Sequence, residues 1–434
     1  MIERLTAGAA GVPEGLSFTD DNGQVVRRAD AYVRTIPPHR AAFHRSLFAS
    51  GLIDQLCAAE LFVESAIERD DGEGGALVVA HRALRPVTYP HEWTAGALAD
   101  AARLQLDLAL ALEPHGLTCA DAHPLNIVFA GARPRFVDLG SIDTPPAHTD
   151  ARRWHRAEQF EAFFLRPLML MALGHGRLAR NLLRDYEVGV DDSVMAALTA
   201  PARRGRKAWV PRSMTGDVRS AASDIPDLAR KARMRWWPSR RRHLDHLRAR
   251  LDSVDVGVPP NPGVGHLSPR QADHVDRVVA ELAPERVLDV GGEWTTTTSN
   301  RMDGVVVATT DEDRLEHLRH STVWRDHGVV GVYLDLLSPS HDLSNRWWRP
   351  AAERLQSSLV IGLGVVEDAA VVSAVRPEFA IDRLAEFTSD RLLVGPVQGD
   401  RSSQLPELGS LLTARFGTVR PAGPNGSWFL CSVS

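Results

Sequence analysis

The sequence predicts two folded units of different class, an α+β bilobal unit in front and an α/β, Rossmann-like doubly wound unit behind. Three observations predict it. The chain has 434 residues, more than one hydrophobic core normally serves. A Pro- and Gly-rich stretch, Val256-Gly-Val-Pro-Pro-Asn-Pro-Gly-Val-Gly265, reads as an interdomain linker. After Pro269, short apolar runs alternate with helical patterns, whereas before it a group of strand-like runs gives way to Ala- and Leu-rich helical sequence.

Taken in order, Leu16-Ser-Phe18 and Val25-Val26 flank Asp20-Asp-Asn-Gly23, a hairpin signal because Asn and Gly accept positive φ. Ala76 to Ala80 reads as the last strand of a small lobe spanning 1–90, and a helix begins near Glu92. Ala95 to Leu112 is helical, with Gly116 placed to end it. The short strands Ile127 to Phe129 and Phe136 to Val137 follow across a turn, and Trp154 to Leu183 continues a helical lobe over 91–255. Its end is arginine-rich, Arg240 to Arg250 above all, and fits a charged helix face; Trp236-Trp237 offers the alternative of stacking on a phosphate-bearing partner. Beyond the 256–267 linker, the 268–434 unit begins with a helix over Gln271 to Leu282. Strands follow at Arg286 to Val290, Gly304 to Thr309, Val329 to Leu334 and Leu359 to Val365, and another helix at Glu312 to His320.

The residues with the clearest chemistry are Asp121, Asn126 and Asp138. A transferred phosphoryl group needs its charge neutralised, magnesium takes oxygen ligands in octahedral geometry, and an acceptor hydroxyl needs a positioning carboxylate. Asp121 suits the last role and Asn126 and Asp138 the metal. These residues also carry a resemblance. Asp121-Ala-His-Pro-Leu-Asn126 resembles the catalytic loop of aminoglycoside-phosphotransferase-like kinases, and Val137-Asp138-Leu-Gly140 resembles their metal-binding element. Together with Tyr89-Pro-His-Glu-Trp93, Phe136 to Ile142, Trp154 to Leu168, Val287 to Gly291 and Tyr333 to Ser340, they resemble a bacterial family with two halves. One is kinase-like and the other is a class I S-adenosylmethionine (SAM)-dependent methyltransferase, related to nodulation-associated methyltransferases.

The resemblance implies a kinase-like bilobal N-terminal unit followed by a Rossmann-like class I methyltransferase domain. It places a cofactor site at Asp289, Gly291, Gly292 and Thr295, with Asp311 or Glu312 standing one or two residues after the acidic position expected at the end of the second strand and Asp335 at the third, and it puts Glu367 and Asp368 where relatives carry a His pair. Asp335 reads equally as a cap for the segment after it. The chain departs from both patterns. It has two lysines, Lys207 and Lys231, so the kinase lysine is missing, and Arg27, Arg28 or Arg69 are the candidate replacements. Thr295 to Thr298 stands where methyltransferases carry glycine, with hydroxyls able to bond a ligand.

With 50 basic and 55 acidic residues the net charge is −5, so nothing in the whole-chain charge favours nucleic acid. Three scattered cysteines exclude a disulfide framework and fit a reducing cytoplasm, and no apolar run is long enough to span a bilayer. The expected partner is a small-molecule substrate, and the expected cofactors are SAM behind and ATP with Mg²⁺ in front. Three functions remain: a SAM-dependent methyltransferase acting on a small-molecule or glycan-like metabolite bound by the kinase-like half, an ATP/Mg-dependent phosphotransferase, or a non-catalytic binding protein.

Overall fold

The computed structural model describes residues 12–13, 21–199, 237–257, 267–298, 302–321, 327–337, 349–397, 408–423 and 426–433. Lys207, Lys231, Trp236, Ser338 to Ser340, most of the linker and the first run of the expected hairpin lie outside them.

In front, an antiparallel sheet of order β1-β2-β3-β5-β4 comprises β1 (Val12–Pro13), β2 (Gln24–Arg27), β3 (Ala31–Ile36), β4 (Ser65–Asp70) and β5 (Leu77–Arg82). Gly23 has φ +104°, and a Cβ there would stand 1.9 Å from the Thr35 carbonyl oxygen, so glycine is required where β2 begins beside the end of β3. Helices Pro38–Ala49 and Leu52–Ala58 connect β3 to β4. The long helix Ala95–Leu112 begins at Thr94, whose hydroxyl accepts from the Ala97 amide. It ends through a 3-10 turn and Gly116 at φ +71°. Its Ala and Leu side chains fill the front core together with Phe136, Trp154, Phe160 and Phe164.

The chain next forms β6 (Thr118–Cys119), the hairpin β7 (Ile127–Ala130) and β8 (Arg133–Phe136), and β9 (Ile142–Asp143), which pairs with β6. This order delivers Asp121 and Asn126 just before β7 and Asp138 just after β8. The basic helix Arg240–Asp252 packs against Ala95–Leu112 through Leu244, Leu247 and Leu251. Arg248 and Arg250 pair with Asp107 and Glu161 of the front half, and Trp237 stacks on the His243 ring at 5.0 Å. The charged helix face is what these contacts describe.

Behind lies a seven-stranded sheet of order β12-β11-β10-β13-β14-β16-β15, with β10 (Val287–Val290), β11 (Val305–Thr309), β12 (Val330–Tyr333), β13 (Ser357–Leu363), β14 (Thr388–Gly395), β15 (Thr418–Ala422) and β16 (Trp428–Ser432). β10 to β14 run parallel, and β16 is antiparallel to both of its neighbours. Alternate residues divide between two cores: Leu288, Val306 and Val330 face one layer, and Val287, Val305 and Val307 face the other.

The two halves meet through buried charge. Arg354, which precedes β13, makes two bonds to Glu92, at 2.6 and 3.0 Å, with both side chains almost fully buried. It also donates to the Val87 carbonyl, and its guanidinium lies 4.1 Å from the centre of the Tyr89 ring. The Tyr89-to-Trp93 segment thus serves as the docking point for the back half. Glu312 and Glu316 of helix Glu312–His320 accept from the Ala95 and Gly96 amides at the start of the long front helix, where negative charge suits the helix dipole. Arg319 reaches Asp100 at 2.8 Å, and Arg180 reaches Glu312 at 2.6 Å. Arg180 also lies over Tyr333, 3.9 Å from the ring centre, and covers the end of edge strand β12. No helix among the described residues is long and apolar enough to cross a membrane.

Candidate functional site

Between the two lobes of the front half lies a cavity of about 610 Å³, a size suited to a small molecule. Tyr32, Arg34 and His81 from the sheet, Asp121, Asn126 and Asp138 from the loops around β7 and β8, and Arg349 from the back half all line it. The three residues singled out in the sequence are therefore brought into one cleft.

Asp121 is held from several sides. Its Oδ1 accepts from Gln159 Nε2 at 2.6 Å and from the His123 amide at 3.2 Å, and its Oδ2 accepts from Asn126 Nδ2 at 3.0 Å. Gln159 also accepts from the Ala122 amide, so one side chain fixes both the carboxylate and the loop carrying it. His123 shapes the same loop, accepting from the Leu125 amide at 3.1 Å, with its ring against Phe163. Burial pushes its pKa down to about 4, so it is a neutral acceptor at pH 7.

Asp138 accepts from Arg34 Nη2 at 2.6 Å and from the Gly140 amide at 3.1 Å on one oxygen, and from the Ser141 hydroxyl on the other. Arg34, on β3, is 6 % exposed. It is the cation paired with Asp138 in this cleft, which Arg82 and Arg349 also line, and the sequence reading did not select it. Arg27, Arg28 and Arg69 pair instead with Glu353, Glu68 and Asp71. The available signal was a charged residue amid the otherwise largely apolar run Ala31 to Ile36.

His81 was missed too. Its Nδ1 meets the Ser65 hydroxyl at 2.6 Å while that hydroxyl donates to the Val63 carbonyl, so the ring proton belongs on Nδ1 and Nε2 is a bare acceptor. Burial, with Arg34 adding to it, pushes the His81 pKa down to about 3.

In the back half, strand order reverses between β10 and β13, and the crevice outside the carboxyl ends of such a pair is where open α/β sheets bind ligands. Asp289, Gly291 and Gly292 lie at the end of β10, and Glu367 and Asp368 in the helix Val365–Val371 that follows β13. Asp289 is fully buried. Its Oδ2 accepts from the Thr295 amide and hydroxyl at 2.8 and 2.7 Å, while its Oδ1 has no hydrogen-bond partner among the described residues. Burial outweighs those two bonds and pushes its pKa up to about 7. Gly291 has φ +91°, and a Cβ there would find nothing nearer than 4.0 Å, so the backbone is open to a close approach.

The threonine run is used internally. Thr296 and Thr297 donate to the Gly292 and Glu293 carbonyls, and Thr298 donates to Asp276, which also accepts from the buried Trp294. Arg314 bridges the turn from its far side, reaching the Gly291 carbonyl at 2.6 Å and Glu293 at 2.7 Å. Asp311 caps helix Glu312–His320 by accepting from the Arg314 amide, and Asp335 accepts from the Leu337 amide two residues on. Glu367 is buried in the first turn of its helix, and Asp368 is exposed.

No protein-family model matches the sequence. A stretch of 164 residues is 32% identical to nodulation protein NoeA of Rhizobium meliloti (strain 1021), covering 36% of this chain and 33% of that protein. The chain thus spans about a third of the length of this curated relative. Among solved structures, vaccinia related kinase 3 matches 35% of this chain and 61% of its own, with 11% identity and a TM-score of 0.23.

Proposed function

We propose that the protein is a SAM-dependent methyltransferase acting on a small-molecule or glycan-like substrate that the kinase-like half helps to bind. The observation carrying this reading is the sheet. Its parallel part, in the order β12-β11-β10-β13-β14, follows the doubly wound order of nucleotide-binding sheets, and an open glycine turn and a buried acidic residue at its switch point support a bound adenosine cofactor.

The residues present fit the cofactor. Gly291 leaves room for close approach, and Asp289 Oδ1 is a buried acceptor that an ammonium group would satisfy. Such a cation would also hold Asp289 ionised despite its burial. Asp311, exposed beyond β11, is the acceptor available to a ribose hydroxyl. Bound SAM supplies an electrophilic methyl group on a sulfonium centre. Glu367 and Asp368, across the switch point from Asp289, are the groups available to orient an acceptor hydroxyl and take its proton. The front half reaches the carboxyl edge through Arg180, which contacts both Glu312 and Tyr333.

Calorimetric titration with SAM and with S-adenosylhomocysteine tests the proposal. Micromolar binding, about −8 kcal/mol, that disappears in D289A is the expected result. No heat from either ligand, or unchanged affinity in D289A, overturns it.

A further inference from the structure

We infer that Arg34 takes the place at Asp138 that the kinase resemblance gives to a divalent metal, and that the front cleft receives its ligand without such an ion. This stands apart from the methyl-donor site and does not depend on it.

The donor set is the argument. A divalent ion needs carboxylate oxygens not already held by cations, and magnesium in particular demands near-ideal octahedral geometry. Asp138 Oδ1 already carries the Arg34 guanidinium at 2.6 Å and the Gly140 amide, and its Oδ2 carries the Ser141 hydroxyl. Arg34 is always charged and buried, so a metal at the same oxygen would face it through little water. Asn126, the second expected ligand, points its amide nitrogen at Asp121. Both Asp121 oxygens are likewise engaged, by Gln159 and the His123 amide on one side and Asn126 on the other. Among the described residues, no group of three or more His, Cys, Asp or Glu side chains is arranged to hold a metal ion.

The arrangement also explains how the chain manages without the small-lobe lysine. In kinases that lysine and the metal share the task of neutralising phosphate. Here one arginine on β3 spans the cleft to the carboxylate, so the sheet and the loop after β8 are joined by an ion pair. With Asp138 neutralised, the cleft wall still carries the Asp121 carboxylate, His81 and the guanidinium groups of Arg82 and Arg349.

Manganese(II) alone is the probe, followed by the electron paramagnetic resonance signal of the free ion in the presence of the full-length protein. Wild type should leave that signal unchanged. R34Q should reduce it in proportion to protein added, and R34Q/D138N should restore it. Uptake by wild type that is lost in D138N overturns the inference, as does an R34Q protein with wild-type circular dichroism that takes up no manganese. Should R34Q fail to fold, the wild-type titration decides alone: no uptake upholds the inference, and D138-dependent uptake refutes it. SAM binding in the same preparations reports on the methyltransferase reading separately.

Discussion

Replacing Arg354 with methionine removes one partner of an ion pair whose side chains are 0 and 1 % exposed. Glu92 would then keep a buried charge that has lost its cation, though it still accepts from the Tyr89 amide at 2.9 Å, and the Val87 and Arg349 carbonyls would lose a donor. Breaking a buried pair in this way costs about 3–5 kcal/mol, while replacing both partners with apolar groups of similar volume is often close to neutral. R354M should therefore lower the unfolding free energy by about 3–5 kcal/mol. E92L/R354M should recover much of that loss, leaving a strongly non-additive cycle. Urea unfolding followed by tryptophan fluorescence measures it. A loss below about 1 kcal/mol in R354M, typical of exposed pairs, or additivity in the double variant, would refute the claim that this pair is buried and joins the halves.

Gly96→Ala puts a Cβ 2.2 Å from the Arg319 guanidinium, which Asp100 and Glu316 hold in place. Although alanine favours helix, G96A should destabilise by about 1–2 kcal/mol, and G96A/R319A should show no further loss over R319A; thermal unfolding checks both. Because the Asp289 pKa is raised to about 7, the native state binds the extra proton. Its contribution to stability should fall as pH rises from about 4, the ordinary carboxylate value, to about 7. D289N should flatten that part of the stability–pH profile, and an unchanged slope would count against the raised pKa. Gln159→Glu sets a second carboxylate 2.6 Å from Asp121, so amide hydrogen exchange across 120–126 should quicken; unaltered protection would deny Gln159 its positioning role.

Much of the fold was legible because periodicity and punctuation agree. The Ala95–Leu112 helix matches its expected bounds, since Thr94 caps one end and Gly116 the other. Helix Glu312–His320 likewise starts at its Asp311 cap. Strand limits moved by a few residues, as at β13, which runs Ser357–Leu363 because Gly364 takes φ +76° and opens the next helix. Burial at Asp289 could be anticipated from its place in an apolar strand. The role of Arg34 could not, because its importance depends on pairing across 104 residues, and the same holds for Arg354 and Glu92, 262 residues apart. Local pattern carries no record of such contacts. Thr295 to Thr298 suggested ligand hydroxyls, yet in a short helix a threonine hydroxyl finds the carbonyl one turn back first.

The most direct test of the central claim is amide hydrogen exchange with and without S-adenosylhomocysteine. Protection confined to residues 289–298, 309–314 and 363–368, on both sides of the switch point, is the predicted result. Protection of 120–141 in the front cleft instead, or no change anywhere at saturating ligand, would contradict the assignment of a methyl-donor site to the back half.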